Sequence, residues 1–206
     1  MVIGLLTLTA IPTITGVGQA VSAQQRQNAA SKEQEKFNII ISLPNEEGDF
    51  EESTTCLLKD GKLVASTPDA PVQGHKFCGF YFKYPSEEGY LGLVSTIADD
   101  TPMMNWIYVD RDTQELQYGP RKDTLGQNIG PWGFNNSETL LALDEHTEGF
   151  IATKETSEGV EHWVIRWDPN QTILAHAEAN TCTPCLLRRR PLLGVESSYV
   201  RDEEGA

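Results

Sequence analysis

Residues 54–67 read TTCLLKDGKLVAST, and this stretch decides the fold. Two apolar runs flank Asp60 and Gly61, and an Asp-Gly pair between two such runs is a strong short-range signal for a two-residue hairpin turn. We therefore expect two antiparallel strands that meet at Asp60 and Gly61. The segments on either side of this hairpin show the same two-residue alternation, so the hairpin is expected to be one unit of a larger sheet.

Strand-like alternation begins at Phe37, in FNIIISLP (37–44), where Phe37, Ile39 and Ile41 share one face. Short runs then recur at intervals of roughly 8 to 15 residues, as in antiparallel barrels and sandwiches. They are KFCGFYFKYP (76–85), YLGLVSTIA (90–98), NWIYVD (105–110), ELQYG (115–119), TLLAL (139–143), GFIATKE (149–155) and EHWVIRW (161–167). After Lys36 the sequence shows no amphipathic run long enough to indicate a helix. The pattern predicts an all-β fold with a single antiparallel β-barrel or β-sandwich domain.

The opening of the chain lacks this alternation. Residues 2–21 carry no charge and are largely apolar, and residues 24–36 are polar and rich in helix-forming residues. We expect residues 1–36 to form an apolar N-terminal segment followed by a short polar helix or spacer. Residues 37–206 are expected to form the single β domain.

The same opening segment bears on the compartment of the protein. Val21-Ser22-Ala23 offers the small residues that signal peptidase accepts, but no Lys or Arg precedes the apolar stretch and Pro12 interrupts it. We favour an intracellular protein that retains the segment. Secretion with cleavage near Ala23 is the alternative, and membrane contact is expected only through residues 2–21, if at all.

The charge balance excludes one class of partner. The chain has 16 basic and 30 acidic residues, a formal net charge of −14. Such a chain is repelled by phosphate backbones, so we expect no nucleic-acid partner. The one basic run, Arg188-Arg189-Arg190, is interpreted as a solvated loop or as a partner for some of the carboxylates.

Several blocks of the sequence resemble a known family. They are the opening MVIGLLTLTAIPT, the stretch GLVSTIADDTPMMNWIYVDRDTQELQYGPR (92–121), and IGPWGF, EGFIATKE and WVIRWD further on. Together they are similar to a family of small fungal β-rich proteins. The resemblance implies a fungal source, one β-rich domain and an N-terminal segment that belongs to the usual architecture. It implies no particular activity and assigns no site residues.

The four cysteines allow three interpretations. Cys182 and Cys185 form a C-x-x-C half-site, but Cys56 and Cys78 do not supply the second half that a structural zinc site needs. We therefore expect no metal and no cofactor, and we favour unpaired thiols. If the chain is secreted, the plainest disulfides are Cys56–Cys78 and Cys182–Cys185. The sequons at Asn135 and Asn170 are glycosylation sites only in that case.

EHWVIRW raises the question of which face of a strand is buried. Trp163, Ile165 and Trp167 alternate with His162 and Arg166, so one register sends the two sets to opposite faces. Burial of the indoles is favourable, which predicts the Trp face in the core and His162 and Arg166 facing solvent or lining a pocket. In a pocket, these two residues would be weak candidates for a general base and a cation.

Three functions are compatible with these patterns. We favour a non-enzymatic small-molecule-binding or accessory protein for a small apolar or partly polar molecule. The alternative is a cofactor-free isomerase or cyclase that acts on a fungal secondary metabolite within the barrel, and the second alternative is a structural or interaction protein. Aromatic walls with a few polar groups are typical of small-molecule sites, and the candidate wall residues are Tyr81, Trp106, Tyr108, Trp132 and Phe134.

Overall fold

The computed structural model describes residues 35–67, 71–98, 103–157 and 159–192, without the side chains of residues 51–53. Nearly all of the expected N-terminal segment (1–36) lies outside the described residues, so the boundary at Phe37 stays a prediction. Within the described ranges, no helix is long and apolar enough to cross a membrane.

Strands dominate the part of the chain that the structure describes. In chain order they are β1 (Phe37–Pro44), β2 (Phe50–Lys59), β3 (Lys62–Ser66), β4 (His75–Lys76), β5 (Gly79–Lys83), β6 (Leu91–Thr96), β7 (Met104–Val109), β8 (Leu116–Gly119), β9 (Trp132–Phe134), β10 (Leu141–Leu143), β11 (Phe150–Ser157), β12 (Val160–Trp167), β13 (Cys182–Pro184) and β14 (Leu186–Pro191). A 3-10 helix (Arg121–Thr124) follows β8, and a short helix α1 (Thr172–His176) follows β12.

Seven of these strands form a closed antiparallel barrel. Pairing runs from β1 through β2, β3, β8, β7, β6 and β5 and returns to β1. Outside the ring, β12 pairs with β3, β11 with β12 and β13 with β11, while β14 adds to β1. Strands β9 and β10 form a separate hairpin. The predicted all-β fold is confirmed, and of the two predicted architectures the barrel is the one observed.

The Asp-Gly hairpin forms as the sequence predicted. Asp60 has φ 48° and Gly61 φ 82°, and Lys59 pairs with Lys62 across the turn. Two successive residues with positive φ are the signature of a turn whose twist matches that of the flanking strands. Local chemistry is therefore sufficient to place β2 and β3 side by side.

The barrel interior is filled by alternate residues of its strands. At Gly79 the packing leaves no room for a side chain, because a Cβ there would lie 2.2 Å from the carbonyl oxygen of Val94 and 2.6 Å from Cζ of Phe77. Close backbone approach is one reason for a glycine within a strand. The largest fully buried side chains are Phe37, Phe77, Phe150, Ile39, Ile41, Leu63, Leu93, Ile107, Leu116, Leu141, Leu143 and Ile165.

Strand β12 corrects one prediction. Ile165 and Trp167 are buried as expected, but Trp163 is only partly buried, and His162, expected to face solvent or line a pocket, is 5% exposed. β12 has β3 on one side and β11 on the other, and His162 lies opposite Glu155 in the β11 register. Because β12 lies between two strands of the sheet, a residue that alternation alone assigns to the surface is buried here.

The basic run 188–190 lies in β14 and not in a loop. Its central residue, Arg189, has only 6% of its side chain exposed, and it pairs with Glu35 at 2.5 Å and Glu138 at 3.6 Å. The predicted role as a partner for carboxylates is therefore confirmed for Arg189, and the predicted solvated loop is wrong.

Candidate functional site

A cleft of about 660 Å³ lies at the β9–β10 hairpin, and we name it the β9–β10 cleft. Its lining combines two aromatic residues with amide, hydroxyl and carboxylate groups. The lining residues are Pro131, Trp132, Gly133, Phe134, Asn135, Asn136, Ala142, Glu145 and Thr147. This mixture of apolar surface and a few polar groups is typical of small-molecule sites.

Two turns hold the shape of the hairpin. At one end, Asn135 Oδ1 accepts the backbone N–H groups of Thr139 (2.9 Å) and Leu140 (3.1 Å). At the other end, Asp144 and Glu145 both have positive φ, 50° and 67°. Asx side chains that accept nearby backbone N–H groups are efficient turn formers. The polar residues of the cleft are therefore placed by the turns, and the aromatic ones by the strand.

Tyr81 fastens the hairpin to the barrel. Its hydroxyl donates a hydrogen bond of 2.7 Å to the backbone oxygen of Gly133, and its ring centroid lies 4.8 Å from that of Phe134. Burial raises the pKa of the Tyr81 hydroxyl, and the nearby Arg189 only partly opposes this shift. Tyr81 is thus a neutral donor behind the cleft, where it supports the site without lining it.

Trp132 connects the cleft to the core. Its indole stacks on Phe150 with an interplanar angle of 9° and a centroid distance of 6.4 Å, and Phe150 in turn contacts Trp167 at 4.7 Å. Trp132 is 2% exposed, and its Nε1 has no hydrogen-bond partner. A buried donor without a partner is costly and marks an unusual site.

Arg189 packs against Phe134, the second aromatic residue of the cleft. Its guanidinium carbon lies 4.6 Å from the ring centroid of Phe134 and 5.7 Å from that of Phe37. Its carboxylate partners Glu35 and Glu138 balance the buried charge. Phe134 is therefore held between a neutralised cation and the edge of the cleft.

The structure separates the five predicted aromatic residues into two groups. Trp132 and Phe134 line the β9–β10 cleft, with Tyr81 behind them. Trp106 and Tyr108 lie on β7 and project from the opposite face of the sheet to the buried Ile107. No single aromatic wall contains all five, and the ligand-binding role of each stays a prediction.

Trp106 belongs to an exposed apolar patch on the outer face of β5–β7. Its ring covers Gly92, where a Cβ would lie 2.5 Å from Cζ3 of the indole, and it meets Tyr84 edge-on at 4.9 Å. Beside it, Phe82 is 49% and Met104 55% exposed. An outer sheet face is usually polar, so strand alternation alone does not predict this patch.

A second cleft, of about 410 Å³, lies beside α1. Asp168 forms one wall and caps the helix, since its carboxylate accepts the backbone N–H groups of Thr172, Ile173 and Leu174. The remaining lining residues are Val109, Arg111, Gln114, Asn128, Trp167, Pro169, Asn170 and Thr172. The carboxylate of Asp168, the most buried charged group of this cleft, already accepts hydrogen bonds from the helix and is not free to bind a ligand. This cleft is therefore the weaker candidate site.

Arg166 is part of a network of four charges. Glu115 Oε1 lies 3.0 Å from Lys62 Nζ and 3.1 Å from Arg166 Nη2, and Glu155 pairs with the same two cations at 2.8 and 2.6 Å. Arg166 Nε also donates to Thr153 Oγ1 at 3.0 Å. Neither His162 nor Arg166 lines the β9–β10 cleft or the cleft beside α1.

The cysteines are free thiols in this structure. Burial raises the pKa of both Cys56 and Cys185, and burial together with the charge of Asp168 raises that of Cys182. These three thiols are therefore protonated and poor nucleophiles at neutral pH. In the described ranges, no three His, Cys, Asp or Glu residues form a group that could hold a metal ion.

The two sequons differ in their surroundings. The Asn135 side chain forms the turn described above, and its Nδ2 lies 3.4 Å from Thr139 Oγ1. Asn170 is exposed at the turn before α1. Modification of Asn170 would disturb less of the fold, and the use of either sequon stays a prediction tied to secretion.

Stability is expected to fall in acid through Asp168 and Glu155. Burial opposes their ionisation, but hydrogen bonds to each carboxylate outweigh it, so both pKa values lie below the usual range. A carboxyl whose pKa is lower in the folded state adds stability above its unfolded value of about 4, and loses it as pH falls through the folded value. The melting temperature should therefore drop below about pH 4. Asp168→Asn should flatten this drop, and an unchanged profile in that variant would contradict the assignment.

Comparison with known protein families agrees with the all-β barrel fold. The family model of the fungal beta-trefoil domain matches residues 16–192. No curated protein and no solved structure matches the chain. The matched region includes every strand of the barrel and the β9–β10 hairpin, and the predicted resemblance to a fungal β-rich family is confirmed. The chain belongs to the fungal beta-trefoil domain family.

Proposed function

We propose that the protein is a non-enzymatic binding module that takes a small molecule in the β9–β10 cleft. The observation that carries this proposal is the cleft itself, in which the exposed Pro131 and the partly exposed Phe134 lie beside amide, hydroxyl and carboxylate groups. The bound molecule would have an apolar face toward Pro131 and Phe134 and hydrogen-bonding groups toward Asn136 and Thr147. A volume of about 660 Å³ is within the usual range for such sites.

The support around the cleft favours binding in a preformed shape. Tyr81 holds the hairpin from the barrel, and Phe150 backs the Trp132 indole from the core. A site whose walls are already ordered loses less entropy when a ligand binds. The cleft therefore has the pre-organisation that a binding module needs.

The enzyme alternative receives less support from the geometry. Arg166 is engaged by two carboxylates and by Thr153, and His162 lies opposite Glu155 outside both clefts. A catalytic group must lie within reach of a bound substrate. The arrangement of these residues suits a structural network better than a reaction site.

A compound screen tests the proposal. Purified full-length protein is screened by thermal shift against small molecules that combine an aromatic or aliphatic ring with polar groups. A ligand at about 100 times its dissociation constant should stabilise the fold by about 2.7 kcal/mol, a clear rise in melting temperature. A screen without any stabilising compound would count against a small-molecule site.

Gly133→Leu supplies the matched control. A Cβ at Gly133 has no atom within 4 Å, and its φ is not in the positive range, so a side chain there enters open space without strain. The variant should fold with an unchanged melting temperature and fail to respond to compounds that stabilise the native protein. Compounds that stabilise both proteins equally bind elsewhere.

A further inference from the structure

We propose that the outer face of β5–β7 is a self-association surface, through which two copies of this chain form a weak, two-fold symmetric dimer. We name this face the β5–β7 patch. Its outward-facing side chains include Phe80, Phe82, Val94, Met104 and Trp106. The patch lies outside the β9–β10 cleft, so the inference goes beyond the proposed function and does not depend on it.

The β5–β7 patch exposes apolar surface that the fold leaves uncovered. Phe82 is 49% and Met104 55% exposed, and the ring centroids of Phe82 and Trp106 lie 6.2 Å apart. The Trp106 indole packs onto the backbone at Gly92, where a Cβ would lie 2.5 Å from Cζ3 of the ring. Exposed apolar patches mark contact surfaces, and Trp, Phe and Met are enriched at the centre of interfaces.

The charge of the patch favours a second copy as the partner. Of the residues that the structure describes on this outer face, none is charged, although 22% of the chain is charged and the net charge is −14. Two such chains repel each other wherever carboxylates face carboxylates. At the β5–β7 patch two copies can approach without that repulsion.

Two opposite charges flank Trp106 at the rim of the patch. On the β5 side, Arg121 Cζ lies 6.0 Å from the ring centroid of Tyr84, which contacts Trp106 edge-on. On the β8 side, Asp123 lies over Gly119, the residue paired with Trp106, where a Cβ would be 3.1 Å from Asp123 Oδ2. Within the described ranges, neither Arg121 nor Asp123 has an ion-pair partner.

This arrangement is complementary to itself. A two-fold axis that runs along β7 at Trp106 exchanges the two sides of the patch. It sets Arg121 of each copy opposite Asp123 of the other copy and brings the two Trp106 side chains together. A two-fold symmetric dimer requires such a self-complementary surface. The rim charges therefore indicate a second copy of this chain as the occupant.

Sedimentation velocity of the full-length protein over a series of concentrations tests the inference. The three strands cover roughly 14 by 17 Å. This is well below the standard interface of about 800 Å² per partner, so we expect a dissociation constant on the order of 100 µM. Phe82→Asp should weaken the dimer at least about tenfold, because it places a charge in the desolvated centre. Val160→Asp, at an apolar position of β12 that is 47% exposed, is the matched control and should leave the dimer unchanged.

Charge reversal at the rim tests whether the partner is a second copy. Arg121→Asp and Asp123→Lys should each weaken self-association at least about tenfold, because each sets like charges against one another across the axis. An equimolar mixture of the two variants should recover the native dissociation constant, since every rim contact between them again pairs opposite charges. Melting temperatures close to that of the native protein show that each variant is folded.

Several results would overturn the inference. They are a native protein that stays monomeric at about five times the expected dissociation constant, a dimer that Phe82→Asp leaves unchanged, and a mixture of the two rim variants that stays monomeric. A monomer that binds phosphatidylcholine vesicles, and no longer does so as Phe82→Asp, would make the patch a membrane contact and overturn the inference as well. The compound screen decides the proposed function separately.

Discussion

Replacing Trp167 with alanine is expected to lower the free energy of unfolding by about 3–5 kcal/mol, as for other large-to-small changes in a core. The side chain is 4% exposed and contacts Phe150 at a centroid distance of 4.7 Å. Gly149 packs so closely against the indole that a Cβ there would lie 2.5 Å from it. Because Phe150 also stacks on Trp132, the loss should loosen the back of the β9–β10 cleft.

Trp163→Ala is the matched control on the same strand. Trp163 is only partly buried, and Lys154 Nζ lies 5.1 Å from its ring centroid. Its removal should therefore cost less than half as much as that of Trp167, with both values taken from chemical denaturation. A larger loss at Trp163 than at Trp167 would mean that the burial of β12 is reversed along its length.

Replacing Glu115 with alanine is expected to cost about 3 kcal/mol, the lower end of the range for breaking a buried ion pair. Glu115 has 6% of its side chain exposed and pairs with Lys62 and Arg166. The estimate is at the lower end because Glu155 continues to pair with both cations. The measurement is the free energy of unfolding at neutral pH and moderate salt.

Glu155→Ala, compared with Glu115→Ala, tests whether burial sets the strength of the ion pairs in this network. Glu155 pairs with the same two cations, but 26% of its side chain is exposed, so water can replace part of what is lost. The cost should be nearer 1 kcal/mol, as for pairs close to the surface. Equal losses for the two glutamates would show that burial does not set the strength of the network.

The strands could be predicted where the information is local. The Asp60-Gly61 turn and the two-residue alternation depend on neighbours in sequence, and both describe β2 and β3 correctly. Strand β14 was not predicted because the residues that stabilise it are distant in the sequence. Arg188 donates to Ser42 Oγ at 2.8 Å, and Arg189 pairs with Glu35. Three consecutive arginines indicate a strand only when these distant partners are known.

The candidate site could be predicted only in part. Trp132 and Phe134 are two residues apart, so alternation on a strand places both side chains on one side, and both residues are part of the cleft lining. Tyr81 and Trp106 come from other strands of a closed barrel, whose strand order no spacing in the sequence shows. Glu145 is one more carboxylate in an acidic chain, and it stays inconspicuous until the fold places it in the lining of the cleft.

The most direct test of a binding function in the β9–β10 cleft is the dissociation constant of the best compound from the screen, measured by calorimetry for the native protein, Gly133→Ala and Gly133→Leu. The open space at Gly133 predicts three proteins of equal melting temperature. It also predicts an affinity that falls with side-chain size and is at least about tenfold weaker in Gly133→Leu, a loss of about 1.4 kcal/mol. An affinity that is the same in all three proteins would place the ligand outside the cleft and contradict the proposed function.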